Sequence, residues 1–275
     1  MRKFISKILY ESLTKTIAAI ITAIILFLWG AFAKESFLKF WNISIPLWII
    51  AIIVIVIAIL LVLIIRIHAK YKMQFDKKYM NIVDKLIISA DMDNWQSWTS
   101  GILSPDPYIY QQQHENLHNL NEYIMSLNLK GGRYSDIDRA IINFRKILQD
   151  LLKVFDMHCS SVGLRYTTDK FYRINEWNQE KYNMLLDEFK YHCTLLSDLI
   201  IELTRAGNYL FEQIRKIILP AFRFEKGELL ITIINTRKVS YAKKDKLYNG
   251  LKSFMEDRET RDFHVGNGVS EKYFR

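Results

Sequence analysis

Two cysteines, four prolines and ten glycines in 275 residues leave little from which to build a disulfide scaffold, a collagen-like repeat or a proline-rich linker. Cys159 and Cys193 belong to no CxxC and to no Cys/His ligand spacing, so both read as packing residues. Also absent are GxxxxGK followed by Ser or Thr, GxGxxG and GxSxG. Without those glycine-built phosphate cradles and nucleophile elbows, the common nucleotide-binding and hydrolase classes are disfavoured. Charge is missing from two long stretches: Thr16 to Ala33, bounded by Lys15 and Lys34, and Phe40 to Ile65.

These uncharged runs carry the first positive conclusion. The 19 residues from Leu47 to Ile65 make a helix about 28 Å long at 1.5 Å per residue, against a hydrocarbon core of roughly 30 Å. Both runs read as transmembrane helices, about 16–33 and 47–65. The alternative for the first is a cleaved signal peptide, since Arg2, Lys3 and Lys7 form a basic start and Ala31-Phe32-Ala33 has the small-x-small form. The run is longer than a signal core, however, and charge continues to Lys15. Arg2, Lys3, Lys7 and Lys15 precede the first run, and Arg66, Lys70, Lys72, Lys77 and Lys78 follow the second, while the loop between holds only Lys34 and Lys39. The positive-inside rule then predicts a multi-pass inner-membrane protein with both termini cytoplasmic. Trp29, Phe32, Phe37, Phe40, Trp41 and Trp48 cluster about the outer loop, where amphipathic rings favour the headgroup layer. Neither run contains an ionisable residue, which argues against a proton relay or a charged ion path.

Seven Lys and Arg and two acidic residues precede position 67, so the rest carries 31 basic and 27 acidic groups, a net of +4 out of the total +9. Basicity is thus partly a topology signal. The expected organisation is a membrane anchor over 1–66, a cytosolic helical domain over 67–236 and a basic segment over 237–275. The fold class is mainly α: a two-helix transmembrane hairpin continuing into a helical domain, with one long helix and a small β-hairpin toward the C-terminus.

Within the cytosolic part, Phe75, Tyr79, Ile82 and Leu86 form one helical stripe, with Lys77, Lys78, Asp84 and Lys85 on other faces. With no Gly or Pro between Pro46 and this stripe, the second span is expected to run on as an amphipathic stalk. The two tryptophans of "DMDNWQSWTSGILSPDPYIY" suggest a packing cluster in a loop. Helices are expected over Pro107 to Leu127, then from Ser135, with Asp138 completing a capping box, to about His158, and from Asn178 to Leu219 with a kink or break near Gly207. "FRFEKGELLITII" alternates about Glu225-Lys226-Gly227 as a hairpin does.

Candidate chemistry is sparse. Arg258-x5-His264 is similar to the R-x(4–6)-H motif of HEPN-type ribonucleases, in which arginine and histidine act on an RNA phosphodiester. That family carries Asn, Asp or His after the arginine, whereas this chain has Glu259, and the motif here lies beside a glycine-containing tail. His114 and His118 stand at i, i+4, but no acidic residue occupies the HExxH position, so they read as a solvated helix face and no metal site is expected. His158-Cys159 and His192-Cys193 recur as adjacent pairs, which point about 100° apart on a helix and chelate nothing alone. The stretch with Arg237, Lys238, Tyr241, Lys243, Lys244, Lys246, Tyr248 and Lys252 interleaves cations with rings. That pattern suits phosphates with base stacking, or anionic headgroups. No cofactor and no small-molecule substrate are indicated.

In layout, a short basic arm, spans near Thr16 to Ala33 and Leu47 to Ile65 and a helical cytosolic part, the chain resembles the two-transmembrane effectors of bacterial antiphage defence, including those encoded beside retron reverse transcriptases. The resemblance implies an inner-membrane toxin held inactive by a reverse transcriptase and its RNA-linked DNA, then released to oligomerise and permeabilise the membrane, stopping phage production. Two other functions are compatible with the residues: a membrane tether or sensor that recruits a cytosolic complex, and a membrane-anchored HEPN-like ribonuclease.

Overall fold

The computed structural model describes residues 47–129, 131–175, 178–231 and 247–261, with side chains from Ile55 onward. The chain is mainly helical. Two compact units are separable, one up to Met73 and one from Gln74 onward. The expected first span, 16–33, lies outside the described residues.

Helix α1 runs without interruption from Leu47 to Ser89, so the backbone of the uncharged run and that of the amphipathic stripe belong to one helix. Among the described residues no helix is long and apolar enough to cross a membrane; from Ile55, the first described side chain, the helix meets Arg66 after about 16 Å. Tyr79, Ile82, Val83 and Leu86 are buried in the core of the second unit, whereas Phe75, from the same expected stripe, is 43% exposed. Asp91, in the left-handed region at φ 46°, ends α1. The Met92 N–H donates to the Ile87 carbonyl and the Asp91 N–H to the Ile88 carbonyl, which satisfies the last carbonyls of the helix.

Helix α2 (Trp95–Ile102) follows. Its Trp95 and Trp98 rings meet edge to face at 4.9 Å, and the Trp95 indole N–H donates to Thr204 Oγ1. The tryptophans are therefore core. Strand β1 (Tyr108–Tyr110) takes up residues expected to begin a helix, and helix α3 starts later, covering Gln111–Ser126. Helix α4 (Ser135–Asp156) buries its entire apolar stripe, Ile137, Ile141, Phe144, Leu148, Leu151 and Phe155. The Ser135/Asp138 capping box does not form: Tyr134 is the N-cap. Asp138 is buried instead, accepting from Tyr79 Oη at 2.7 Å and from the Gly131 N–H at 2.7 Å.

Helix α4 ends before the expected His158 because residues 159–168 form a hairpin, β2 (Cys159–Val162) and β3 (Arg165–Thr168). Gly163 turns it at φ +62°. Strand β1 pairs antiparallel with β3, giving the order β1-β3-β2. The Arg165 guanidinium lies over the rings of Tyr108 and Tyr110 at 4.4 and 4.8 Å.

Helix α5 (Gln179–Ile217) is the centre of the unit. Asn178 caps it by accepting from the Lys181 N–H at 2.9 Å, and the helix passes Gly207 without a break. From Leu195 to Phe211 every residue is buried, so here α5 is surrounded on all sides. Gly207 allows one close approach: a Cβ there would sit 2.5 Å from Leu229 Cδ1.

The hairpin expected around Gly227 does not form. Residues 220–226 are a succession of turns, with Arg223 left-handed at φ 52° and the Gly227 N–H donating back to the Arg223 carbonyl; an arm in that conformation cannot offer a strand edge. Arg223 instead donates to Asp93 Oδ1 at 2.7 Å and Lys226 also pairs with Asp93, pinning this turn to the connection after α1. These hydrogen bonds from Lys226 and Arg223 hold the Asp93 carboxyl below the usual aspartate range. Its contribution is therefore present above the unfolded value of about 3.9 and is lost as pH falls through the lower folded value. Because Asp93 is 43% exposed, screening limits the effect to about 0.5 kcal/mol. Denaturant unfolding at about pH 5 and about pH 2 is expected to show a larger loss in the parent than in Asp93→Asn; equal losses would mean that the pins contribute nothing.

Helix α6 (Leu251–Asp257) and a 3-10 turn (Arg258–Thr260) close the described chain, with Tyr248, Phe254 and Met255 in the same hydrophobic core as α4 and α5.

Candidate functional site

Because α5 is enclosed, its polar residues have to be paired inside the protein. Asp198, Glu202 and Arg205, at 3, 1 and 5% exposure, face the C-terminal segment. Arg258, fully buried, donates from Nε to Asp198 Oδ2 at 2.9 Å and from Nη2 at 2.6 Å. Arg261 Nη1 reaches Glu202 Oε1 at 2.8 Å, and Arg205 Nη1 reaches Glu202 Oε2 at 3.2 Å. Arg261 also pairs with Asp257 at 3.0 Å. Three carboxylates and three guanidinium groups thus balance one another along about two turns of α5. The Arg258 guanidinium also lies 5.0 Å from the Tyr191 ring centre. The spacing that suggested a phosphodiester-cleaving arginine belongs, at its first residue, to this interior network; His264 lies outside the described residues.

Of the basic, ring-bearing stretch, Arg237, Lys238, Tyr241, Lys243, Lys244 and Lys246 also lie outside them. Tyr248 is 2% exposed. Its hydroxyl donates to Asp150 Oδ2 at 2.7 Å and its N–H to Asn143 Oδ1 at 3.0 Å. Burial, with the charge of Asp150 next, raises the Tyr248 hydroxyl far above the usual tyrosine range. This ring serves the core and offers no face to a base. Lys252 is exposed on α6.

The two His–Cys pairs are partly brought together. The His158 and His192 rings meet edge to face at 5.1 Å, with Phe171 against His158 at 4.3 Å. Burial raises the Cys159 thiol, and the charges of Asp156 and Asp169 add to it; burial, then Asp106, pushes Cys193 up to about 12. Neither is a ready thiolate.

A different grouping does converge. His114 and His118 project from one face of α3 toward Asp156, the last residue of α4. His114 Nε2 is 2.7 Å from Asp156 Oδ1 and His118 Nε2 is 3.1 Å from Oδ2. The two Nε2 atoms are 3.3 Å apart. Among the described residues this is the one group of three or more His, Cys, Asp or Glu side chains whose ligand atoms lie together. Sequence spacing supplied the two histidines; the carboxylate comes from 38 positions beyond His118, and no local signal announces it.

On α1, Tyr79 stacks against Tyr134 with ring centres 4.4 Å apart, and the Tyr134 hydroxyl donates to Asp76 at 2.6 Å. Burial first, then the bond to Asp76, moves that hydroxyl up to about 12. Phe75, Lys78, Gly131 and Arg133 complete a shallow cleft around this pair.

No protein-family model, no curated protein and no solved structure matches this chain.

Proposed function

We propose that this protein is an inner-membrane effector of a bacterial antiphage system which, once released by its partners, oligomerises and perturbs the membrane. The observation that carries the proposal is α1. Ile55, Val56, Ile59, Leu60, Leu61, Val62, Leu63 and Ile65 are all between 43 and 66% exposed, so from Ile55 to Ile65 the helix is apolar around its circumference. Water does not favour such a surface; lipid does. The same helix continues into residues held in the core of the helical unit. A displacement of Tyr79 or Leu86 would then act on a helix rather than on a flexible linker.

In this reading residues 16–33 supply the second wall of a transmembrane hairpin. Several hairpins are needed to line a path, and the path gates by wetting, because the spans contain no charge. The layout shared with retron-associated effectors makes a reverse transcriptase with its RNA-linked DNA the restraining partner. The buried network around Arg258 weighs against the ribonuclease reading, since that arginine is bonded to Asp198 inside the fold.

The test is induced expression in a bacterium with membrane potential and dye entry followed in time, comparing the full chain with one lacking residues 1–66 and with Ile59→Arg. A charge at the centre of a span costs about 2.5–3.5 kcal/mol of insertion free energy, so both changes are expected to abolish depolarisation. Toxicity that survives removal of residues 1–66 would move the activity to the helical unit and favour the ribonuclease reading. Function retained after exchange of the spans for unrelated ones would favour the tether.

A further inference from the structure

Helical spacing alone puts His114 and His118 one turn apart, with both Nε2 atoms able to reach a common point. The fold brings the carboxylate of Asp156 to that point, within 2.7 and 3.1 Å of the two nitrogens. Asp156 stands in the last turn of α4, where the unpaired carbonyls of a helix concentrate negative charge and a carboxylate is disfavoured unless a cation compensates it.

Each Nε2 faces its own oxygen of one carboxylate, and the two nitrogens stand 3.3 Å apart, so three ligand atoms converge on one point. A divalent cation can accept a lone pair from each imidazole and one from the carboxylate there. Around an ion with bonds of roughly 2.0–2.2 Å, neighbouring ligand atoms stand about 2.9–3.5 Å apart in octahedral or tetrahedral geometry, and the separations here lie in or near that range.

We propose that His114, His118 and Asp156 form a binding site for a divalent first-row transition ion of the zinc class. Two imidazoles and one carboxylate suit borderline ions better than calcium or magnesium, which prefer all-oxygen cages. Three protein ligands leave at least one coordination position for water. His114 is largely covered, its side chain 15% exposed, and packs at 4.8 Å on the Tyr166 ring of β3. His118 and Asp156 are 43 and 36% exposed, so the ion has a route in and the open position faces solvent. Bound there, it ties the N-terminal half of α3 to the end of α4 and, through His114 on Tyr166, to the sheet. The site is independent of the membrane reading.

The experiment uses the full chain, without a polyhistidine tag, in detergent micelles and stripped with a chelator. Zinc is titrated against a chromophoric competitor, and cobalt serves as the spectroscopic probe. One ion per chain is expected, with cobalt d–d absorption of nitrogen/oxygen ligation and a rise in the thermal midpoint on adding zinc. His118→Gln and Asp156→Asn alter exposed groups and should keep the parent's circular dichroism while weakening binding by ~100-fold or more, beyond the ~10–100-fold that follows from losing a partner that only orients a ligand. The proposal is overturned if the parent binds no stoichiometric ion, or if both variants bind zinc as the parent does. A variant that fails to fold is replaced by His114→Gln, judged on the same criteria.

Discussion

Arg258→Met is expected to destabilise the helical unit by about 3–5 kcal/mol, because it strands the Asp198 carboxylate in the interior. Asp198 is 3% exposed and Arg258 fully buried, so water cannot replace the lost partner as it would at a surface pair. For a unit of about 200 residues this corresponds to a fall in thermal midpoint of roughly 6–20 °C. The double variant Asp198→Leu/Arg258→Met should recover most of the loss, since removing both charges together leaves no orphan and adds apolar contact beside Phe254. Thermal unfolding of the full chain measures both. This pair of variants also separates the two meanings of Arg258. A catalytic arginine would lose activity while leaving the unfolding midpoint unchanged; a buried structural one lowers the midpoint, and the second mutation restores it. An unaltered midpoint in Arg258→Met would refute the structural assignment.

Asn208→Leu is the second large effect, expected to cost about 2–6 kcal/mol. The Asn208 amide donates to the Leu229 carbonyl at 3.0 Å and accepts from the Leu229 N–H at 2.8 Å. One side chain of α5 thereby bonds both backbone polar groups of a buried residue that lies outside any helix. Leucine removes both partners at once, and each buried group left unpaired costs about 1–3 kcal/mol. Gly207, next in the chain, lets the Leu229 side chain lie directly on the helix backbone, so the two residues together form the seat for this segment. Hydrogen exchange gives the specific readout: the Leu229 amide should be protected in the parent and exchange rapidly in the variant, ahead of the α4 amides. Equal protection would show that the seat is held by its apolar contacts alone.

Periodicity carried far in this chain wherever a segment packs along one face. The α4 stripe from Ile137 to Phe155 was legible residue by residue, as was the start of α5 at Asn178, where an amide side chain precedes the helix and can cap it. The uninterrupted α1 followed from the lack of Gly or Pro after Pro46. Local pattern failed where a distant partner decides the outcome. "SSVGLRYTT" became a hairpin because β1, some 50 residues away, pairs with it, and "FRFEKGELLITII" did not, because Asp93 captures Arg223 and Lys226 first. Ser135 and Asp138 had the spacing of a capping box, yet Tyr79 and Gly131 claimed the carboxylate.

By itself the sequence determined the helical class, the two uncharged runs and their charge asymmetry, and most helix boundaries, because each depends on neighbours within a turn or two of helix or on composition. Only the tertiary structure decided that α5 is enclosed on every side, that Arg258 neutralises Asp198, that Tyr248 turns inward, and that Asp156 meets His114 and His118. These are encounters between residues some 40 to 100 positions apart, set by how helices pack, and a period of 3.6 residues contains no information about which face meets which.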